Sequence, residues 1–222
     1  MSAIAVKEVK ERVIADNDAV AEEVRSELKQ KKVFFVNLMA SPGAGKTTTL
    51  VRTIEALQPK YRVGVMEADV DSSVDAETVA KTGAKVIQLH TGGSCHMDAD
   101  MTKRGLDALD VGDVDVVFLE NVGNLVCPAE FDVGASRKVM ILSVPEGDDK
   151  PLKYPLMFTI SDCLLINKMD TAPVFDFDMD RLRANVNRLN ESMPIFPVSS
   201  LKGDGFDAWI DWLTGEIEAW QE

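Results

Sequence analysis

The chain has 222 residues, 45% of them hydrophobic, enough to bury one full core and suited to one α/β domain with a terminal extension. Its formal net charge of -13 argues against a nucleic-acid surface, since nothing basic is clustered enough to neutralise a run of phosphates. Charged residues break up the N-terminus, no segment reaches membrane-spanning length and three cysteines cannot close a disulfide framework, so a cytoplasmic chain with neither membrane nor nucleic-acid partners is expected.

Residues 3–31 set Val6, Val13, Val20, Val24 and Leu28 among Glu, Lys and Arg with no Pro or Gly, which predicts an amphipathic helix. Residues 1–31 read as a helical extension and 32–222 as a nucleotide-binding domain. The apolar stripe of the helix either faces its own domain or serves as a partner-binding arm.

From Val33 onward, short runs rich in Val, Ile and Phe alternate with helical stretches, as buried parallel strands require. Strands are expected at 33–39, 61–67, 84–89, 114–119, 138–144, 161–166 and 195–199, and helices at 46–57, 73–82, 97–109, 178–190 and 205–220. The expected fold class is α/β: a doubly wound, mostly parallel seven-stranded sheet with helices on both faces, plus the N-terminal helix. Glu146 to Pro155, with Gly-Asp-Asp and two prolines, reads as a surface loop.

Between the first strand and its helix lies Ala40-Ser41-Pro42-Gly43-Ala44-Gly45-Lys46-Thr47, a P-loop NTPase pattern with Ala in place of the first glycine. Gly43, Ala44 and Gly45 let backbone N–H groups curl around a phosphate at a helix N-terminus. Lys46 would hold the β and γ oxygens, Thr47 would bring its hydroxyl to Mg²⁺, and Thr48 follows beside the phosphates.

The second strand runs into Glu67, Asp69, Asp71 and then Asp75 at the carboxyl edge of the sheet, and any of these could reach the metal ion or order a water. The fourth strand ends in Glu120-Asn121-Val122-Gly123. An acid at a strand end with Gly three residues on lets the acid touch Mg²⁺ while the glycine N–H senses the γ-phosphate.

Asn167-Lys168-Met169-Asp170 follows the next-to-last strand, about 120 residues beyond the phosphate loop. The Asp170 carboxylate can accept from both N1–H and the 2-amino group of guanine. Adenine offers neither donor and would leave a desolvated charge unpaired. Lys168 can lay its stem along the base and Asn167 can tie this loop to the phosphate loop. Ser200, Leu201 and Lys202, after the last strand, supply a second base-contacting loop. GTP and GDP are thus the expected nucleotides.

Cys95-His96 opens a helix after the glycine turn Thr91-Gly92-Gly93, and Cys127 precedes Pro128 on the segment that begins at Glu120. Two thiolates and an imidazole suit Zn²⁺, Ni²⁺ or Cu⁺, but three ligands leave the ion incomplete, so a second copy of the chain could complete the site. The alternative is that the pair caps a helix and binds nothing. Cys163, inside an apolar strand, reads as a structural thiol, and His90 is given no role.

Four segments closely resemble the HypB family of GTPases, which assist nickel insertion into [NiFe]-hydrogenase: 41–47, Thr91 to Ala99, Glu120 to Pro128 and Glu146 to Pro155. The resemblance implies a slow GTPase that forms a homodimer with GTP, binds Ni²⁺ or Zn²⁺ at the subunit interface and works with a HypA-type metallochaperone, reaching the hydrogenase large subunit indirectly. By residue it implies Cys95, His96 and Cys127 as metal ligands, and Asp75 and Glu120, with Lys46, as catalytic groups near the phosphates and Mg²⁺. Some members carry an N-terminal cysteine-rich motif or a histidine-rich tract; neither stands here, so nickel storage is not expected. The N-terminal helix would then be the HypA-docking element. Related urease accessory GTPases of the UreG type carry Cys-Pro-His instead of an adjacent Cys-His pair. A P-loop small-molecule kinase would lack a guanine reader, and an adaptor using nucleotide only structurally would not hydrolyse it.

Overall fold

The seven apolar runs form seven strands, β1 (Phe34–Ala40), β2 (Val63–Asp69), β3 (Lys85–His90), β4 (Val116–Glu120), β5 (Arg137–Ser143), β6 (Cys163–Asn167) and β7 (Ile195–Pro197). They pair in the order β3-β2-β4-β1-β5-β6-β7. Every pairing is parallel. The structure, a computed structural model, describes residues 9–69 and 74–222, so the expectations placed on Val6 and Asp71 lie outside the described residues.

Helices cover both faces, which is why the central strands read as continuous apolar runs rather than alternating ones. Phe34, Val36 and Leu38 of β1 point to a core shared with α2 (Lys46–Leu57) and α9 (Phe206–Gln221), whose Leu50, Ile54, Trp209 and Leu213 are fully buried. Phe35 points the other way, toward Val24 and Leu28 of α1 (Val9–Gln30) and Leu106 and Leu109 of α4 (Ala99–Leu109). Beyond β1, Met140, Leu142, Leu164 and Ile166 pack under α7 (Pro155–Ile160) and α8 (Met179–Asn187). The remaining helices are α3 (Val74–Ala80) and two single turns, α5 (Cys127–Glu130) and α6 (Lys150–Lys153). No described helix is long and apolar enough to cross a membrane.

The C-terminal half of the α1 stripe faces its own chain, whereas Val13 is exposed. Ala21, Val24 and Leu28 are buried, and the helix lies so close to the segment leading into β5 that a Cβ on Gly134 would meet the Ala21 carbonyl oxygen at 2.6 Å. Arg25 adds an ion pair to Asp132 at 2.7 Å, and Lys138 reaches the same carboxylate oxygen at 3.2 Å.

Two local expectations are corrected. Glu146 to Pro155 is not an open surface loop: a 3₁₀ turn (Val144–Glu146) closed by a Ser143–Glu146 capping box leads into α6 and α7. Asp148 within it is buried and grips Arg181 of α8 through two bonds of 2.7 and 2.8 Å. Pro155 is the first residue of α7 and Pro151 the second of α6, because the first turn of a helix leaves its N–H groups without intrahelical partners and suits the fixed φ of proline. Cys95-His96 does not open α4 either, since Asp98 caps that helix by accepting from the Met101 N–H at 2.7 Å. The pair sits in a bend before the helix.

Candidate functional site

Because all strands run the same way, the carboxyl ends of β1, β2, β4 and β6 open on one crevice. Gly43 and Gly45 take left-handed φ values of 76° and 95°, which turns the backbone of the phosphate loop back into the first turn of α2. Gly45 is required twice over, since a Cβ there would stand 2.5 Å from the Asn167 side-chain amide. Lys46, Thr47, Thr48, Asp69, Asp75 and Glu120 line the resulting cleft. Asp75 is exposed in the first turn of α3.

The register of β2 against β4 sets Glu67 beside Glu120, both buried. Burial pushes the Glu67 carboxyl up to about 10, and the facing Glu120 charge adds to the shift. Burial raises Glu120 as well, against the pull of the Lys46 ammonium and the Thr47 hydroxyl. Thr47 donates to Glu120 Oε1 at 2.8 Å, whereas Glu120 Oε2 and Glu67 Oε1 are buried without a hydrogen-bond partner. Two desolvated carboxyl groups with orphaned oxygens beside a threonine hydroxyl form an oxygen-donor set that fits a hydrated hard cation such as Mg²⁺, whose charge would favour their ionised forms.

The loop after β6 is wired to the phosphate loop. Asn167 donates to the Ala44 carbonyl at 2.9 Å, and the Lys168 ammonium donates to the Gly43 carbonyl at 2.7 Å. Asn167 also accepts from the backbone N–H and hydroxyl of Ser200 at 3.0 and 2.8 Å, drawing in the 199–203 loop. Ser199 donates to Asp170 Oδ1 at 2.7 Å and accepts from the Lys202 N–H at 3.2 Å. The carboxylate of Asp170 is thereby fixed in orientation, while Leu201 is 75% exposed on the rim.

Cys95, His96 and Cys127 come together although two loops carry them. Their ligand atoms all lie within 4.8 Å of one another, with Cys95 Sγ 3.0 Å from Cys127 Sγ and both thiols free. Donors around one tetrahedral ion stand about 3.3–3.8 Å apart, so small side-chain rotations suffice to enclose one, and a fourth position stays open. Its hydrogen bond with Cys95 and partial burial push the Cys127 thiol up. His96 is pulled down by burial against the opposing charges of Asp98 and Glu130, and its ring stacks on Phe131 at 4.1 Å. A neutral imidazole is the form that coordinates. Cys163 is buried in β6, and His90 sits exposed at the end of β3.

One segment joins the two sites. Gly123 presses on the phosphate loop so closely that a Cβ there would meet the Pro42 backbone nitrogen at 3.0 Å. Next along, Asn124 donates from its backbone to the Ala40 carbonyl at 3.0 Å and from its side chain to the Cys95 carbonyl at 3.2 Å. Asn121, buried, accepts from the Met97 N–H at 3.3 Å and donates to Asn37 of β1 at 3.1 Å. Sequence reasoning gave these asparagines no role. A polar residue inside the apolar run Phe-Phe-Val-Asn-Leu-Met-Ala of β1 was the available signal.

Residues 34–197 match the family model described as CobW/HypB/UreG, nucleotide-binding domain. The hydrogenase maturation factor HypB of Rhizobium leguminosarum bv. viciae is 43% identical over 213 residues, spanning 96% of this chain and 71% of that protein. Among solved structures, HypB from Helicobacter pylori in complex with nickel superposes with a TM-score of 0.87 at 34% identity, over 93% of this chain and 98% of that one. HypB from Archaeoglobus fulgidus gives a TM-score of 0.85 at 37% identity, over 91% and 99%.

Proposed function

The chain belongs to the CobW/HypB/UreG family, in its HypB group, and from that premise we propose that it is a GTP-hydrolysing metallochaperone that assists nickel insertion into [NiFe]-hydrogenase. Residues 32–222 act as the GTPase domain and residues 1–31 as its helical extension. The observation that carries the reading is the attachment of a three-donor cluster of two thiols and an imidazole to the same segment, 120–127, that reaches the phosphate loop.

Asp170, held by Ser199, reads the two donors of guanine. Lys46 and the backbone of Gly43 to Thr47 hold the phosphates, with Thr48 beside them. Thr47 and Glu120 would hold Mg²⁺, which would supply positive charge against that developing on the transferred phosphoryl group. Asp75, on the exposed rim of the cleft, works next to the γ-phosphate. In the family member from Helicobacter pylori the bound metal is nickel. Here Cys95, His96 and Cys127 receive Ni²⁺ or Zn²⁺, and a second copy of the chain in a GTP-dependent homodimer completes the coordination. A HypA-type partner and a cytoplasmic setting follow from the same reading.

Titration with Ni²⁺ in the presence of a non-hydrolysable GTP analogue or of GDP, with molecular mass followed in parallel, tests it. The expected outcome is tighter metal binding and a doubled mass in one nucleotide state. Equal affinity and equal mass in both, or no phosphate release from GTP in a single-turnover assay over hours, would contradict it.

A further inference from the structure

Asn17 lies half-buried on α1, outside both the nucleotide cleft and the metal cluster. Its side-chain amide makes two bonds to different parts of the domain. Nδ2 donates to the Asp132 carbonyl at 2.8 Å, and Oδ1 accepts from the Ala99 N–H at 2.9 Å. Ala99 is the first residue of α4, and its N–H is one of the orphan donors of a helix start, since the Asp98 side chain serves Met101 instead.

Both partners end a segment that carries ligands. Ala99 closes the stretch containing Cys95 and His96, while Asp132 closes the stretch that begins at Cys127 and includes Phe131, the ring stacked on His96. A single side chain therefore spans the two segments on which the cluster is divided. Resting on the reading of Cys95, His96 and Cys127 as metal ligands, we propose that Asn17 is a positioning residue for the metal site, setting the separation of its two ligand-bearing segments.

The surroundings fix the crossbar at both ends. On the 127–135 side, Asp132 is held by Arg25 at 2.7 Å and by the Gly134 N–H at 2.9 Å, and α1 abuts Gly134 directly. On the 95–99 side, Asp98 caps α4 and Thr102 donates back to the Asp98 carbonyl at 2.7 Å. The opposite edge of the cluster is held differently, through Asn124 and Asn121 to Cys95 and Met97. The nucleotide-facing segment thus steadies one side of the cluster and the N-terminal helix the other. Outer partners of this kind orient metal ligands without touching the ion, and their loss lowers affinity by roughly 10–100-fold.

The test uses the full chain, with Co²⁺ as an optical probe and Ni²⁺ as a second ion. Asn17→Ala removes both bonds and is expected to weaken Co²⁺ binding by roughly tenfold or more, and to shift the ligand-field and thiolate charge-transfer bands of the Co²⁺ complex. Asn17→Asp keeps the acceptor for Ala99 and loses the donor to Asp132, so it should fall between. Leu28→Ala, toward the far end of the same helix and with a side chain that makes no hydrogen bond to either segment, is the comparator for general loosening of α1. Wild-type spectra and affinity in Asn17→Ala, with binding still abolished by Cys127→Ala, would overturn the positioning role and leave the metal site standing. An equal loss in Leu28→Ala at matched thermal stability would also overturn it. Metal binding indifferent to Cys95→Ala and Cys127→Ala would remove the site itself, and the inference with it.

Discussion

Asn124 is bonded at once to the phosphate loop and to the metal loop: its backbone N–H donates to the Ala40 carbonyl and its side-chain amide to the Cys95 carbonyl, at 3.0 and 3.2 Å. Ala40 ends β1 and Cys95 precedes α4, and Asn121 ties the same two regions three residues earlier, with its N–H on the Leu38 carbonyl and its side-chain oxygen accepting from the Met97 N–H. A shift of this segment on a change at the γ-phosphate must therefore either stretch the Cys95 contact or carry Cys95 with it.

Asn124→Ala keeps the backbone bond to Ala40 and removes the one to Cys95. A coupling energy between two sites typically corresponds to about a 5–150-fold change in affinity. The ratio of Ni²⁺ affinities between the GTP-analogue and GDP states should fall in this variant to within about twofold. Parallel metal titrations of wild type and variant in both nucleotides measure it, and a ratio that stays at the wild-type value would assign the coupling elsewhere.

Asp170 has one oxygen engaged by Ser199 and offers the other to a base. Asp170→Asn replaces an acceptor with a donor where guanine presents N1–H and a 2-amino group. The loss should be about 2 kcal/mol or more, roughly thirtyfold in GTP affinity, while xanthosine triphosphate, with a carbonyl at that position, should bind better than to wild type. Competition among GTP, XTP and ATP reads this out. A preference for GTP over ATP that survives the substitution would disprove the base assignment.

Asp132 anchors α1. Burial pushes its carboxyl up, but the Lys138 charge, the Gly134 N–H and Arg25 together outweigh it and hold the group below its ordinary value of 3.8. A depressed folded-state value stabilises the fold above the unfolded value, and that contribution disappears as pH falls through the folded one. Asp132→Asn should cost about 1.5–3 kcal/mol at neutral pH, as the loss of hydrogen bonds to a charged group does. Denaturant midpoints of the two proteins should differ at pH 7, the difference should begin to shrink as pH falls below the ordinary value of 3.8, and it should vanish only once pH has fallen through the lower folded-state value. A difference unchanged at acid pH would mean that the charge of Asp132 carries none of the effect.

Most of the fold could be read from the chain. Parallel strands buried on two faces leave largely apolar runs, and all seven strands were visible from their Val, Ile, Leu and Phe content, with boundaries shifted by a few residues at most. The stretch from Glu146 to Pro155 was not legible, because prolines and glycine mark loops and helix starts alike, and only the burial of Asp148 against Arg181 distinguishes them. The phosphate turn was also legible, and so was the 167–170 run proposed as the base reader, since each is a contiguous run whose chemistry depends on local backbone and spacing. The metal cluster was legible only as residue types at suggestive places, because its donors sit on two loops whose approach is a matter of packing.

The sequence by itself determined the strand and helix periods, the glycine positions that the phosphate turn needs, and the donor and acceptor groups of the 167–170 run proposed to face a guanine. These are local properties, fixed by side-chain alternation, backbone freedom and donor and acceptor patterns within a few residues. Tertiary structure alone decided that Glu67 stands beside Glu120, that Cys95 meets Cys127, and that Asn17 and Asn124 steady that meeting from opposite sides. Each of these depends on strand register or on the docking of one element against another, and a polar residue in isolation carries no mark of the partner that folding will bring to it.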